Sequence, residues 1–416
     1  MQRALLATIA LAVSAPLYAA SALTYSLPGG PQAVSWPSSS FPVHYQIERR
    51  VTTVIPDGDA VVDRAFGEWA SIPQVSLSFV DDGVVDHATA GRDGHNTISI
   101  ADDLFANQNY VAVTTNWWDD SGRMLEADIQ IDPSVQSSGF NPQQVVAHEA
   151  GHFLGLDHSA VISSVMFPYV TKGTNIPLDS DERVAIASIY PRADPTLSSA
   201  TLSGRVLDDG GAIFGAHVVA ADMKGTPVAS TLTNENGEFL LRGVPAGTYR
   251  LYAEPLDGPV EAANLAGVYR TAANKDFPTQ FLPPMQVENG KVYGSLVINA
   301  NGVARLNPMW IGSCGLNGID ASLSSKPLVV HGGQSITIAV AGEGFIGGLT
   351  KFEVMNPAFK RVTDFKYAGN YVAATFAIDP AVGSGSATIL VSNSPSEQAT
   401  LTGALRIEDA VRRRAK

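Results

Sequence analysis

Three histidines and one glutamate stand at a regular spacing in the segment HEAGHFLGLDH. If the segment is helical, His148 and His152 lie one turn apart and project from the same face, so two imidazoles can reach one metal ion. Gly155 lets the chain turn sharply out of the helix, which brings His158 back as a third ligand. Three neutral ligands leave a fourth position open, which is the arrangement of a catalytic zinc site. Glu149 can then act as general base toward a water molecule at that position.

The competing interpretation of this segment is a structural helix that carries incidental histidines. A lone H-E-x-x-H pattern occurs often enough by chance to leave that interpretation open. Here all five fixed positions of H-E-x-x-H-x-x-G-x-x-H are occupied. We therefore predict one catalytic Zn²⁺ bound by His148, His152 and His158.

The elements that must position these residues can be predicted from the flanking sequence. The zinc-binding helix should begin at Asn141-Pro142, a capping residue followed by proline at the first helical position, and end near Gly155. An earlier amphipathic helix is predicted to follow the turn at Asp57-Gly58. A later one should run from the capping pair Asp179 and Glu182 to about Tyr190. Strands are predicted at Phe41–Ile47, Val75–Val80, Thr97–Ile100, Tyr110–Thr115 and Met124–Ile131.

The zinc-binding segment resembles that of the metzincin zinc metallopeptidases, and within them the matrixin-like branch. Ser159 follows the third histidine as in matrixins, and SSVMFP (Ser163–Pro168) resembles the Met-turn of the family, with Met166 packed beneath the metal. Further segments resemble the matrixin pattern in the same order, so that the resemblance extends from about Phe41 to Pro191: Ala65–Val80, Glu126–Ile131 and Leu178–Pro191.

This resemblance implies an α+β catalytic domain, with a mixed twisted sheet and three helices, that hydrolyses peptide bonds in proteins. The water would be activated by zinc and Glu149. A peptide substrate would pair with the strand that carries Val111 and Val113. The residues expected to border the pocket for the residue after the cleaved bond are Gln144, Phe167, Pro168 and Tyr169.

Three departures from the matrixin pattern matter. The only cysteine is Cys314, so we expect neither a disulfide nor the cysteine that blocks the zinc of many matrixins. A second, structural zinc would need His87, Asp93 and His95, whose spacing does not match the family. Calcium is the less favoured of two interpretations for a set of loop carboxylates, the other being simple solvation. These are Asp81, Asp82, Asp86, Asp102, Asp103, Asp119 and Asp120.

After residue 199 the helical periodicity gives way to short alternating strands and turns, which predicts two all-β sandwich domains. The run from Thr233 to Tyr249 resembles the carboxypeptidase-regulatory-like (transthyretin-like) sandwich. GGQSITIAVAGEGF (Gly332–Phe345) resembles the opening hairpin of an immunoglobulin-like module. We predict a signal peptide at 1–22, a metallopeptidase domain at 23–195, sandwiches at 199–300 and 303–409, and a basic tail at 410–416.

The amino-acid composition and the N-terminal sequence limit the partners and the cellular location that we expect. The 416 residues carry 27 Lys+Arg against 40 Asp+Glu, a net charge of −13, which argues against nucleic acid or an anionic membrane as the main partner. A short positive start, the apolar run Ala4–Leu17 and Ala20-Ser21-Ala22 are typical of an export signal, and that run is too short to span a membrane. We expect a secreted monomer, extracellular or periplasmic, without a transmembrane segment.

Two functions from different classes compete. The first is a secreted zinc endopeptidase. The second is a surface or matrix-binding protein whose metzincin-like domain is a non-catalytic scaffold, with the sandwiches as the binding modules. The sandwiches are candidates for binding substrate or an extracellular surface under either interpretation. An intact general base at Glu149 favours the enzyme, because a scaffold has no use for it.

Overall fold

The computed structural model describes residues 22–28, 30–88, 90–102, 110–173, 176–194, 198–272, 275–315 and 321–409. The predicted signal peptide (apart from Ala22), the basic tail and Asp103 lie outside the described residues. Within the described chain, no helix is both long enough and apolar enough to cross a membrane.

The first module combines a five-stranded sheet with helices. Its strands are β1 Thr24–Leu27, β2 Gly30–Ala33, β3 Val43–Glu48, β4 Phe79–Val85, β5 Thr97–Ile100, β6 Ala112–Trp118 and β7 Met124–Ile131. Its helices are α1 Arg49–Val54, α2 Gly58–Ala70, α3 Pro142–Phe153 and α4 Ser180–Ile189. The sheet order is β4-β3-β5-β7-β6, in which β6 alone runs antiparallel to its neighbour, and β1 and β2 form a separate hairpin.

This sheet matches the predicted α+β class, and the differences have physical causes. The residues of β5 are all buried and β7 is largely so, which explains their apolar runs. The predicted strand Val75–Val80 is wrong over most of its length, because β4 begins only at Phe79. Val75 and Leu77 are buried as loop residues, and Val75 makes a single bridge to Pro191, so burial alone produced the strand-like pattern. Helix α1 was not predicted; it is short and only Val51 in it is buried.

The second module is a sandwich of two sheets. Its strands are β8 Ala200–Asp208, β9 Gly211–Ala212, β10 His217–Asp222, β11 Pro227–Leu232, β12 Glu238–Val244, β13 Gly247–Glu254, β14 Gln280–Phe281, β15 Met285–Val287 and β16 Val292–Asn299. One sheet has the order β11-β10-β13-β14 and the other β12-β8-β16, where β16 runs parallel to β8. Between β13 and β14, two short 3-10 helices form at Ala262–Asn264 and Gly267–Thr271.

The third module is also a sandwich of two sheets. Its strands are β17 Asn307–Ser313, β18 Ser322–Ser324, β19 Leu328–His331, β20 Ser335–Glu343, β21 Lys351–Val354, β22 Phe359–Arg361, β23 Lys366–Ala368, β24 Tyr371–Ile378, β25 Gly385–Ser394 and β26 Glu397–Glu408. The sheet orders are β18-β17-β20-β24-β22 and β19-β26-β25-β21. The immunoglobulin-like assignment of this sandwich stays a prediction.

The modules pack closely against one another around α4 and the Met-turn. Helix α4 lies on β11 and β12, and Val184 in α4 belongs to the apolar core of the second module. Ile162, just before the Met-turn, and Phe167, within it, are buried in an apolar cluster to which both the second and the third module contribute. The Asp179 carboxylate accepts hydrogen bonds from Ser163 and from Ser386 of the third module. The segment that follows the zinc-binding helix is therefore enclosed by both sandwiches.

Candidate metal centre

Helix α3 carries the first two histidines and begins as the sequence predicts. The Asn141 side chain accepts the N–H of Gln143 at 3.0 Å, and Pro142 occupies the first helical position, where no N–H is needed. The helix is buried on most of its surface against α2 and β6. The Trp69 indole donates to the Ala147 carbonyl oxygen at 2.9 Å, which fixes the helix from its α2 side. His148 and His152 therefore project from a rigid support.

The chain leaves α3 at Gly155 and returns His158 toward the helix. Gly155 has φ +89°, and a Cβ there would lie 2.3 Å from the Val34 carbonyl oxygen. Only glycine satisfies both the left-handed backbone and the close approach. As predicted, this turn brings the third histidine beside the other two: the ring centroid of His158 lies 5.3 Å from that of His148 and 4.8 Å from that of His152.

Each of the three imidazoles is oriented by a backbone carbonyl oxygen. Nδ1 of His148 lies 2.7 Å from the oxygen of Val165, and Nδ1 of His152 lies 2.8 Å from that of Leu156. Nδ1 of His158 lies 2.5 Å from the carbonyl oxygen of Asn264. A carbonyl oxygen can only accept, so each Nδ1 carries the proton and each Nε2 presents a lone pair.

These lone pairs converge on one point. One ligand atom from each histidine lies within 4.8 Å of the others, and the Nε2 atoms of His148 and His152 are 3.2 Å apart. Two acceptor atoms this close repel each other unless a cation lies between them. A tetrahedral zinc with bonds of about 2.0–2.1 Å separates two nitrogen ligands by about 3.3 Å. The donor set therefore fits zinc.

Burial keeps these ligands neutral, which metal binding requires. It lowers the pKa of His148 to about 3, helped by the neighbouring His158. The pKa values of His152 and His158 are also lowered, chiefly by burial. At neutral pH the three imidazoles are therefore unprotonated at Nε2 and ready to bind a metal ion.

Glu149 lies beside the histidines and is also buried, with 5% of its surface exposed. The Thr114 hydroxyl on β6 donates to Oε2 of this carboxylate at 2.6 Å. Burial raises the pKa of Glu149 to about 7, and the Thr114 hydrogen bond acts in the opposite direction. A carboxyl group with this pKa can both take and release a proton near neutral pH.

Met166 packs directly under α3. A Cβ at Gly151, one residue before His152, would lie 2.2 Å from the Met166 sulfur, so the absence of a side chain there lets the sulfur lie this close to the helix. The turn that carries Met166 is held by Glu182, whose Oε1 accepts the N–H of Val165, with a longer contact of 3.4 Å to the N–H of Met166. Val165 in turn orients His148, so Glu182 supports the metal centre through one residue.

The predicted substrate-contacting residues divide into accessible and buried ones. Val113 in β6, the edge strand of the sheet, and Val111 just before it are partly exposed, and Tyr169 is 43% exposed. Phe167 is buried in the apolar cluster that the second and third modules form together. Gln144 is 2% exposed, and its side-chain oxygen accepts the N–H of Ile176.

The candidate ligands for further metals have other partners. His87, Asp93 and His95 are exposed, and among the described residues they do not form a cluster with metal-binding geometry. Most of the carboxylates considered for calcium accept hydrogen bonds within the protein: Asp81 from Gly83, Asp82 from His44, Asp86 from Arg49, Asp102 from Arg50, and Asp119 from Ser121 and Arg123.

Several contacts at the metal centre were not predicted, because no sequence motif marks the residues that make them. They involve Thr114, the carbonyl oxygen of Asn264, and Asn116, whose amide donates to the His152 carbonyl oxygen at 3.0 Å. The alternation of β6 could have indicated that Thr114 and Asn116 share one face, but the sequence gives no sign of which face meets α3.

Comparison with known proteins identifies the first two modules. Residues 35–191 match the matrixin family, and residues 201–262 match the carboxypeptidase regulatory-like domain. The chain thus contains a matrixin domain, of a family of zinc metallopeptidases, followed by a carboxypeptidase regulatory-like domain.

Individual relatives agree with this assignment. Karilysin of Tannerella forsythia is 44% identical over 57 residues, which cover 14% of this chain and 12% of that protein. Metalloendoproteinase 2-MMP of Arabidopsis thaliana is 24% identical over 200 residues, covering 44% and 50%. Interstitial collagenase of Bos taurus is 27% identical over 146 residues, covering 34% and 30%. The chain spans at most about half the length of these relatives.

Proposed function

We propose that this protein is a secreted zinc-dependent endopeptidase that cleaves peptide bonds in proteins. The observation that carries the proposal is the convergence of three Nε2 lone pairs beside a buried carboxylate. His148, His152 and His158 would hold the metal. Glu149 would be the general base. The matrixin domain supports zinc and a protein substrate as the reaction partners.

Bound zinc would polarise the scissile carbonyl group and acidify the attacking water molecule. The chain itself supplies the proton transfers. Glu149, held by Thr114, takes a proton from the water and then delivers it to the amine that leaves. Burial of the carboxylate favours this exchange, because it brings the pKa of Glu149 close to neutral pH.

A peptide would bind along the outer edge of β6. In the described sheet this strand pairs only with β7, so its other edge can accept main-chain hydrogen bonds from an extended substrate. Thr114 and Asn116 of β6 contact α3, which sets the distance between that edge and the histidines. Val111 and Val113 would flank the peptide, and Pro168 and Tyr169 would border the opposite side. For Gln144 and Phe167 we propose a supporting role in that wall.

The alternative function is a surface or matrix-binding protein with a silent metzincin-like domain. Such a scaffold would gain nothing from a buried carboxylate beside three oriented imidazoles, since burying a charge costs free energy. The arrangement around Glu149 therefore favours the enzyme.

Glu149→Ala, prepared beside the wild-type full-length chain, tests the proposal. We expect the wild type to bind one zinc per chain and to cleave casein in a chelator-sensitive manner. Glu149→Ala should keep the zinc and lose the cleavage. Glu149→Gln is the matched control for volume and should be equally inactive. Cleavage by Glu149→Ala at the wild-type rate would overturn the mechanism, and a zinc-loaded but inactive wild type would favour the scaffold.

The remaining predictions concern export, oligomeric state and module boundaries. We propose that residues 1–22 direct export and are removed, that the protein acts as a monomer, and that the module boundaries lie at 195–199 and 300–303. Sequencing the N-terminus of the secreted protein and measuring its mass in solution would test the first two. Limited proteolysis at the two boundaries would test the third.

A further inference from the structure

The third histidine of the metal centre differs from the other two in the origin of its hydrogen-bond partner. Val165 and Leu156, which orient His148 and His152, both belong to the matrixin domain. Asn264, which orients His158, lies 106 residues further along the chain in the second module. We propose that the second module completes the zinc site, with Asn264 as a positioning residue for His158. This inference rests on the zinc site of the proposed function.

The Asn264 carbonyl oxygen is held in place by its own turn. Asn264 ends the short 3-10 helix Ala262–Asn264, and its side-chain oxygen accepts the N–H of Glu261 at 2.9 Å, closing a reciprocal capping box. Its side-chain nitrogen donates to the Tyr169 hydroxyl at 3.2 Å. The Asn264 side chain thus ties the second module to the segment just after the Met-turn, while its carbonyl oxygen orients the ligand.

A second contact joins the same two loops. The carboxylate of Asp157, adjacent to His158, is buried and accepts the N–H of Ala266 at 2.9 Å and the N–H of His158 at 2.7 Å. A buried carboxylate without hydrogen bonds would be costly, so the second module supplies a donor that the ligand loop needs. Both Asp157 and His158 are therefore fixed by residues 264–266.

The segment that contains residues 264–267 also contacts the N-terminal strand β1. Gly267 has φ +55°, and a Cβ there would lie 1.8 Å from the Thr24 carbonyl oxygen in β1. The same N-terminal segment donates the N–H of Leu23 to the oxygen of Gly155 at 2.9 Å, at the turn that leads to His158. Residues 264–267 thus contact β1 on one side and the loop that carries His158 on the other.

The chemical consequence is a fixed tautomer. With its Nδ1 proton donated to Asn264, His158 must present the Nε2 lone pair to the metal, and its ring cannot rotate away. Partners of this kind typically change metal affinity 10- to 100-fold, or about 1.4–2.7 kcal/mol. Zinc affinity should therefore depend on the second module, although that module contributes no ligand.

The experiment compares the full-length wild type with Gly267→Ala and Asn264→Ala. Gly267→Ala pushes the segment at residues 264–267 away from β1. Asn264→Ala removes the side chain that accepts the N–H of Glu261 and so holds the 3-10 turn. Gly290→Ala is the matched control, because it has φ +74° in the same module but no atom within 4 Å of the added Cβ. Zinc dissociation constants come from competition with a chromophoric chelator, with circular dichroism to verify folding.

We expect both variants to bind zinc about 10- to 100-fold more weakly, and Gly290→Ala to bind it like the wild type. NMR of ¹⁵N-histidine-labelled, zinc-free protein should show His158 as the Nδ1–H tautomer in the wild type and as a mixture in the variants, which a purely structural contact would not produce. An unchanged zinc affinity and tautomer in folded Asn264→Ala would overturn the inference, even if Gly267→Ala fails to fold. Absence of zinc binding by the wild type would instead overturn the proposed function.

Discussion

Thr114 on the edge strand β6 donates its hydroxyl to the Glu149 carboxylate on α3 at 2.6 Å. The same hydroxyl also lies 3.1 Å from the Glu149 carbonyl oxygen. One residue therefore links the strand proposed to bind the peptide with the proposed general base. The carboxylate is therefore oriented by a residue of β6 and not by its own helix.

The first prediction concerns this link. Thr114→Val keeps the shape of the side chain but removes the donor, so the Glu149 carboxylate loses its fixed orientation. We expect kcat to fall at least about tenfold, because a hydrogen bond to a charged group contributes roughly 1.5–3 kcal/mol. KM and zinc content should stay near the wild-type values. Steady-state kinetics on a fluorogenic peptide and metal analysis provide the measurement.

Thr114→Ser is the matched control, since it retains the hydroxyl and should keep most of the activity. If Thr114→Val had a kcat within about twofold of the wild type, Thr114 would be only a packing residue, because a lost hydrogen bond to a charged group should cost more.

A second prediction concerns the support of the Met-turn. Glu182 is buried and accepts the N–H of Val165 and, at 2.7 Å, the N–H of Asp179. Glu182→Leu removes both acceptors, and we expect a loss of about 3 kcal/mol in the free energy of unfolding together with weaker zinc binding. Glu182→Gln keeps one acceptor and should lose roughly half as much. Thermal unfolding of the zinc-loaded proteins gives the measurement.

Glu235→Leu, at an exposed turn of the second module, serves as the control for a surface glutamate and should change the unfolding midpoint little. The prediction fails if Glu182→Leu unfolds at the wild-type temperature.

The sequence predicts the parts of the centre that depend on local spacing. His148, His152 and Glu149 follow from helical periodicity, and the turn to His158 follows from Gly155, because these relations involve neighbours along the chain. The capping pair of α4 was also predictable, and the structure contains it. The second role of Glu182, at the Met-turn, was not, because a capping motif carries no information about distant N–H groups.

The hydrogen bonds that orient the metal ligands could not be predicted from the sequence for the same reason. The oxygen that orients His158 belongs to the backbone of Asn264, and every residue has such an oxygen. Its placement depends on how two modules pack, which no local pattern encodes. The prediction of a strand that begins at Val75 was wrong for a different reason. Buried and exposed residues can alternate in a loop as they do in a strand, and Val75 is a buried loop residue.

A third prediction concerns the loop between β4 and β5. Both oxygens of the buried Asp128 accept backbone N–H groups at 2.8 Å, Oδ2 from Gly91 and Oδ1 from Thr97. Asp128→Asn would turn an amide NH₂ toward one of these donors. We expect about 2 kcal/mol lower stability and faster hydrogen exchange at residues 91–97. Asp93→Asn is the control, because Asp93 is exposed and its Oδ1 accepts only one such bond, from His95. Equal exchange rates in the two variants would contradict the prediction.

A fourth prediction concerns Asp257, which lies half-buried where the second and third modules meet. Burial, with the negative charges of Asp276, Glu254 and Glu261, raises the pKa of Asp257 to about 7. In the unfolded chain the pKa of an aspartate is about 3.9, so the folded state binds the proton more tightly. This carboxyl group therefore makes stability fall as pH rises from about 4 to about 7, and the full penalty applies at pH 8.

Asp257→Asn removes the charge and should raise the free energy of unfolding at pH 8 by roughly 1–2 kcal/mol, less than the full shift implies because water screens a half-buried group. At pH 5 the gain should be much smaller. Thermal unfolding at the two pH values measures the difference, with Asp209→Asn at an exposed turn of the same module as the control. A gain of equal size at both pH values would mean that the carboxylate of Asp257 does not titrate between them in the folded protein.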